Sequence, residues 1–381
     1  MSTKNILILG DLPLDINDIK GGVESVIRNL IDGFDGMPDI QLYIMTYSRD
    51  INESKILKYS ANIELIYVPY RVNIDIIDYF INTGYLKQVV AKKQIDIIHV
   101  QGATPHLLRL LRQKRDNIIV TQHGIMLHEY QHVKGMARKL KFLFKIFIEN
   151  CYFPLFRHVI FISNYNQKLY KGDPSTQITL CNPVNEIFFS DNEFVCSQSI
   201  MYVGAINVRK NLMGILEALQ VLKSRELYFN LNVVGGFQDA KYKSIVMTYI
   251  EENELTDQVT FHGWLKQNAI HKLYKKSSYL ILNSYQETLP VSISEAMSMG
   301  KIVLASDVGA ISEMFEPNES GFLISDSDSI VKTLMRLHND LQLQQKISRN
   351  AIKVAEDYYH PLKVANLTGL YYNQVINYKG S

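Results

Sequence analysis

The sequence predicts an α/β protein made of two Rossmann-like domains facing across a cleft. Three observations carry this. The chain has 381 residues, 47% hydrophobic and 20% charged, enough for two domains with separate cores. Short apolar runs alternate with helical apolar periodicity, and they do so in two successive series. A mostly polar stretch, STQITLCNPVNEIFFSDNEFVCSQS (175–199), separates the series and is badly placed for a single barrel with short loops.

In the first series NILILG (5–10) reads as a buried strand ending in glycine. VESVIRNLIDGF (23–34) reads as a helix, with Val23, Val26, Ile27, Leu30, Ile31 and Phe34 on one side. QLYIMTY (41–47), IELIYVPY (63–70), IDIIHVQG (95–102), NIIVTQHG (117–124) and HVIFISN (158–164) read as further strands. The last three end in polar residues or glycine, where α/β folds place ligand contacts. The second series runs strand 200–206, helix 211–223, strand 228–236, helix 241–253, strand 259–265, helix 268–277, strand 279–284, a helix from 291, strand 301–306 and strand 321–325. Two late helices and a helical segment at 362–378 close the chain. The expected domains are 1–180 and 181–360, with 361–381 as a C-terminal helix crossing back to the first domain. Residues 175–199 are expected to be a link plus an entry strand.

The formal net charge is +2, too small to imply a nucleic-acid partner. No apolar run reaches the roughly 18 residues of a membrane span, and the N-terminal stretch lacks the pattern of a signal peptide. Cys151, Cys181 and Cys196 have no metal spacing and suit a reducing cytoplasm. The dinucleotide fingerprint GxGxxG and the phosphate loop GxxxxGK[ST] are absent, which argues against a standard NAD enzyme and a P-loop kinase.

Several residues are candidates for chemistry. Gly21-Gly22 stand between a strand and a helix, where backbone N–H groups can approach an anion. Two adjacent glycines are weak evidence alone. Arg209 and Lys210 are expected at a helix start, where cations oppose the helix dipole unless an anion such as phosphate is held there. A solvated loop is the plainer alternative. Glu287 and Glu295, eight positions apart in QETLPVSISEAMSMG, are expected in a loop and in the first turns of a helix. There the helix N-terminus would stabilise the second carboxylate, and both could accept hydrogen bonds from a diol.

These residues resemble a known family. NSYQETLPVSISEAMSMGKIVLASDVGAISE is similar to the E-x7-E region of retaining GT-B glycosyltransferases of family 4, the glycosyl transferases group 1, of bacterial surface-polysaccharide type. The likeness extends to GGVE (21–24), QHG (122–124), ISNYNQ (162–167), CNPVN (181–185), YVGAINVRKN (202–211), VVGG (233–236) and FHGW (261–264). Two positions depart from the family. Val291-Ser292 replaces the common Phe-Gly pair, and Ala205 stands where an arginine often follows the glycine of the YVG strand.

The resemblance implies a GT-B fold and a set of roles. Gly22 would let the first-domain loop approach the donor. His123 would lie beside the donor sugar. Arg209 and Lys210 would bind the diphosphate. Glu287 would hold sugar hydroxyls and Glu295 the ribose hydroxyls. The backbone of Leu289, Pro290 and Val291 would lie near phosphate or sugar, and Asn283 and Ser284 would line the cleft. No cofactor and no metal are expected, because no DxD-type pair stands where a metal site would be needed and the cations replace it. The reaction expected is retaining transfer of a hexose or N-acetylhexosamine from a UDP- or GDP-sugar to a glycan acceptor. That acceptor would be lipid-linked, of undecaprenyl-diphosphate type, in O-antigen, capsule or exopolysaccharide synthesis. The enzyme would be cytoplasmic. Residues 132–158, where Lys134, Arg138, Lys139, Lys141 and Lys145 alternate with bulky apolar residues, either touch the membrane surface or pack inside the first domain. Two competing readings are a sugar-nucleotide epimerase and a non-catalytic GT-B-like partner subunit.

Overall fold

The computed structural model describes residues 3–16, 18–19, 21–72, 78, 83–102, 104, 107, 110, 117–125, 130, 135–190 and 194–378, apart from the side chains of residues 137, 138 and 141. The chain divides into two compact units, Met1–Pro183 with Pro361–Ser381, and Val184–His360.

The first unit is built on β1 (Lys4–Leu9), β2 (Ile40–Ser48), β3 (Lys55–Lys58), β4 (Ile63–Pro69), β5 (Ile97–Gln101), β6 (Ile118–Gln122), β7 (His158–Phe161) and β8 (Thr176–Thr179). Their order is β3-β4-β2-β1-β5-β6-β7-β8, parallel except for the β3–β4 pair. Side chains alternate across the sheet. Ile6, Ile8, Leu42 and Ile44 pack against α1 (Gly22–Phe34) and the C-terminal helix (Pro361–Asn377). Leu7, Leu9, Tyr43 and Met45 share the opposite core with Leu86 and Val89 of α2 (Thr83–Lys92) and Ile148 of α3 (Met136–Cys151). A short helix, α4 (Asn164–Leu169), follows β7 and is capped by Ser163. Gly33 lets the C-terminal helix come close to α1: a Cβ there would lie 2.3 Å from the Pro361 carbonyl oxygen.

Two strands depart from the sequence reading. β8 lies within the stretch expected to be a link, and it extends the first sheet by pairing with β7. β3 was not expected at all: KILK is exposed at every position, so it has no apolar periodicity to read.

The second unit is built on β9 (Ser199–Val203), β10 (Asn230–Val234), β11 (Val259–Gly263), β12 (Tyr279–Leu282), β13 (Ile302–Ser306) and β14 (Phe322–Ile324). The order β11-β10-β9-β12-β13-β14 is the 3-2-1-4-5-6 arrangement of a doubly wound sheet, and every pair is parallel. The helices are α5 (Leu212–Lys223), α6 (Ala240–Glu252), α7 (Gln267–Tyr274), α8 (Val291–Ser298), α9 (Ser327–His338) and α10 (Leu341–Tyr358). The strands are near-continuous apolar runs because helices cover both faces of a parallel sheet.

Candidate functional site

In a doubly wound sheet a crevice opens outside the carboxyl ends of the two strands where the order reverses. In the second unit these are β9 and β12. Arg209 and Lys210 follow β9; Asn283, Ser284 and Glu287 follow β12.

The two cations are not in the first turn of a helix, as the sequence suggested. They sit in a 3-10 turn, Val208–Lys210, ahead of α5. Asn207 Oδ1 accepts from the Lys210 backbone N–H at 3.0 Å, and Asn211, in the left-handed region at φ 46°, caps α5. This turn buries Lys210 and aims its ammonium back over Gly204, where a Cβ would lie 3.4 Å from Nζ.

Lys210 Nζ lies 2.7 Å from Glu287 Oε1, and Arg209 Nη1 lies 3.4 Å from the same oxygen. Ser284 Oγ donates to that oxygen too, at 2.8 Å. Arg209 also donates to the Gln286 carbonyl, and the Tyr285 N–H donates to the Arg209 carbonyl at 2.8 Å. Burial pushes the Glu287 carboxyl up. The charges of Lys210 and Arg209, with the Lys210 and Ser284 hydrogen bonds, more than reverse this and hold it below the ordinary value. All these contacts fall on Oε1; Oε2 takes no hydrogen bond from the described residues.

Glu295 corrects the sequence reading. It is the fifth residue of α8, beyond the first turn, so the helix N-terminus does not stabilise its charge. Burial pushes its carboxyl up to about 8. Only 7% of the residue is exposed, and its carboxyl makes no hydrogen bond with the described residues. Pro290 is the N-cap of α8 and supplies no capping side chain; Leu289 and Val291 flank it half-buried. Asn283 turns inward. Its Oδ1 accepts from Ser306 Oγ at 3.4 Å, and its Nδ2 lies unpaired where a Cβ on Gly214 would be.

In the first unit the reversal lies between β1 and β5, next to β6. His123 follows β6 and its Nε2 lies 2.6 Å from Gln101 Oε1 at the end of β5. Burial pushes His123 down to about 4, against a hydrogen bond with Asn182. Gly22 opens α1; among the described residues a Cβ there would meet nothing within 4 Å, so packing against them does not require glycine.

Sequence reasoning missed several supporting residues. Asn207 and Asn211 carried a cap signal, being Asn residues just before a helix. Gly309 carried none that is local. It has φ 63°, and a Cβ there would lie 1.9 Å from the Glu287 carbonyl oxygen. The reading that HExxH is absent is also wrong: His128-Glu129-Tyr130-Gln131-His132 has that spacing, and only Tyr130 of it is among the described residues. No group of three or more His, Cys, Asp or Glu among the described residues could hold a metal ion.

The close approach of Gly309 to Glu287 is testable. Gly309→Ala should lower stability by at least about 2 kcal/mol, from the positive φ and the backbone clash together. Urea denaturation measures it. Gly84→Ala, which would meet nothing within 4 Å, should cause no loss. Equal midpoints for the two variants would contradict the geometry.

The comparisons with known proteins identify the family. The model of the glycosyl transferases group 1 matches residues 184–354, and the model of glycosyltransferase family 4 matches residues 20–180. An uncharacterised glycosyltransferase from Methanocaldococcus jannaschii is 24% identical over 340 residues, 87% of this chain and 88% of that protein. The UDP-Gal:alpha-D-GlcNAc-diphosphoundecaprenol alpha-1,3-galactosyltransferase of Escherichia coli is 23% identical over 322 residues, 77% of this chain and 79% of that protein. The sucrose-phosphate synthase of Thermosynechococcus elongatus superposes with a TM-score of 0.76 at 19% identity, covering 98% of this chain and 99% of that one. The two family models leave unmatched only the chain ends and residues 181–183, and the chain therefore belongs to the group 1 (family 4) glycosyltransferases and has the GT-B fold.

Proposed function

We propose that this glycosyltransferase moves a hexose or N-acetylhexosamine, with retention and without a metal, from a UDP- or GDP-sugar to a lipid-linked glycan acceptor. O-antigen, capsule or exopolysaccharide synthesis at the cytoplasmic side of a bacterial membrane is the setting. One observation carries the reading. Two buried carboxylates, Glu287 and Glu295, each keep an oxygen that no described residue bonds, and Glu287 stands beside two cations at the strand reversal. Vicinal hydroxyls are donors that fit such acceptors, and a diphosphate is the anion that fits the cations.

In this mechanism Glu295 takes the ribose hydroxyls and Glu287 Oε2 takes sugar hydroxyls. Lys210, Arg209 and the uncapped N-terminus of α8 stabilise the charge that grows on the diphosphate as its bond to C1 breaks. The acceptor oxygen bonds to C1 on the face the diphosphate leaves, and the acceptor's proton passes to the departing phosphate oxygen. Gly22 and His123 serve the donor from the first unit. The Escherichia coli relative, whose name specifies a UDP-sugar and a diphosphoundecaprenol acceptor, supports these substrate classes.

α3 supports a membrane-surface role. Met136, Leu140, Leu143 and Phe147 recur at helical spacing and are exposed. The helix sequence holds four Lys or Arg and one Glu, formally +3, whereas the whole chain is only +2. Lys134 of the same segment, and the side chains of Arg138 and Lys141, lie outside what is described. No helix among the described residues is long and apolar enough to cross a membrane. An apolar stripe in a basic helix suits anionic headgroups over acyl chains.

Calorimetry with UDP, GDP and ADP, with and without Mg²⁺, tests the core of the reading. One nucleotide should bind, unaffected by metal. Because burial pushes the Glu295 carboxyl up to about 8 and two hydroxyl donors favour its ionised form, binding at pH 7 should release protons, read from the enthalpy in buffers of different ionisation heat. Binding without proton release removes Glu295 from the ribose; no binding of any nucleotide sinks the donor site. Lys210→Ala should lower kcat by roughly 10²–10³-fold, and unchanged turnover would refute its role at the leaving group. Full-length protein should sediment with phosphatidylglycerol vesicles and not with phosphatidylcholine vesicles. Leu140→Glu with Phe147→Glu should abolish this; retained binding would show that α3 is not the contact.

A further inference from the structure

The first unit contains a polar chain that the proposed reaction does not by itself require. Residues two apart on a strand face the same side, so β5 presents His99 with Gln101, and β6 presents Thr121 with His123 after its end. The register sets Gln101 opposite Thr121. His99, Gln101 and Thr121 are buried, and with His123 and Asn182 they line one pocket of the unit.

Their hydrogen bonds form one line. Gln101 Oε1 lies 2.6 Å from His123 Nε2, and Gln101 Nε2 lies 3.2 Å from His99 Nε2. Thr121 Oγ1 lies 2.6 Å from His99 Nε2, and the Tyr372 hydroxyl lies 2.7 Å from His99 Nδ1. An amide oxygen only accepts and an amide nitrogen only donates. His123 therefore carries its proton on Nε2. His99 Nε2 is bare, accepting from Gln101 and Thr121, and His99 donates from Nδ1 to Tyr372. Burial pushes His99 down to about 3 and His123 to about 4, so each neutral ring has one proton to place. Tyr372 is fully buried in the C-terminal helix and stacks on Phe34, with centroids 6.0 Å apart and planes 11° apart.

We propose that Gln101 is a positioning residue for His123, fixing which ring nitrogen carries the proton, and that His99 and Tyr372 hold Gln101 in the orientation that does so. A neutral imidazole can offer either a donor or an acceptor from a given nitrogen, and a site that meets a sugar hydroxyl must offer one of them consistently. The amide supplies that choice without a charge, which a carboxylate in its place would add. This inference rests on the reading that His123 contacts the donor.

Long-range ¹H–¹⁵N spectra of the full chain, with histidines assigned by single substitution, test it. The expected forms are Nε2–H for His123 and Nδ1–H for His99. Gln101→Glu, nearly equal in size, accepts from both rings, so His99 should move its proton to Nε2 while His123 keeps Nε2–H. Gln101→Leu should leave Asn182 as the described hydrogen-bond partner of the His123 ring, so that Nε2–H is no longer its fixed form, and lower kcat by roughly 10–100-fold with little change in donor KM. A His123 protonated at Nδ1 in the native chain, or a His99 tautomer that Gln101→Glu does not change, overturns the proposal, and Gln101→Glu decides it if Gln101→Leu does not fold. If the tautomers shift as expected while kcat is unchanged, Gln101 positions His123 as proposed, and what falls is the donor contact of His123.

Discussion

The second unit's site depends on the ion pair between Lys210 and Glu287. A carboxylate this buried is costly unless cations and hydrogen bonds meet it. Glu287 is met by Lys210, Arg209 and Ser284 at once. For Lys210 to reach it, the chain after β9 must turn sharply; Asn207 satisfies the Lys210 N–H in that turn, and Asn211 caps the following helix at the Gly214 N–H. For Glu287 to be within reach, its own loop must be held. Gly309 packs on its carbonyl, and the Ala310 N–H donates to the Thr288 carbonyl. A buried ion pair is poor evidence for stability, because an apolar pair of similar volume often does as well. Its place at a strand reversal, where doubly wound sheets open a ligand crevice, fits the donor site proposed above.

The two glutamates of the motif respond to pH in opposite senses. The folded-state pKa of Glu287 is depressed, so its contribution is present above the ordinary carboxylate value and is lost as pH falls through the folded pKa. That of Glu295 is raised to about 8, so its contribution is present below the ordinary carboxylate value and is lost as pH rises toward 8. The difference comes from partners alone, since both are buried. Glu287 has cations and Glu295 has none among the described residues. One carboxylate is held as an anion by its partners, and burial favours the neutral form of the other.

Much of the fold could be read along the chain because parallel strands covered on both faces are near-continuous apolar runs. Glu287 and Glu295 were legible as a spaced pair, and Lys210 as a cation at a strand end. Their mutual contact was not, because Lys210 and Glu287 are distant in sequence and meet only when β9 and β12 become neighbours. β3 escaped because KILK is exposed throughout, and β8 because TQIT is short and polar. The helix begins at Val291 as expected; the helix-dipole argument for Glu295 failed because its carboxylate, the fifth residue in, lies past the first turn and is buried. The chain from His123 to Tyr372 was beyond any local pattern, since His99 and Tyr372 lie 273 residues apart.

That separation constrains how the protein forms. The second unit is one continuous segment, Val184–His360, inserted in the sequence of the first. Its sheet and core need nothing from outside that segment. The first unit is discontinuous. Its core lacks Val364, Tyr371, Tyr372 and Val375 until the helix Pro361–Asn377 is made, and Val364 and Thr368 line the same pocket as His123. Without Tyr372 the bare end of the chain would be His99 Nδ1, a buried donor with no acceptor, which is costly. Folding during synthesis usually completes the N-terminal domain first. Here the order is reversed for the site: the continuous second unit can close while the first still waits for the helix Pro361–Asn377, so the ring of His123 is fixed only once that helix has been made.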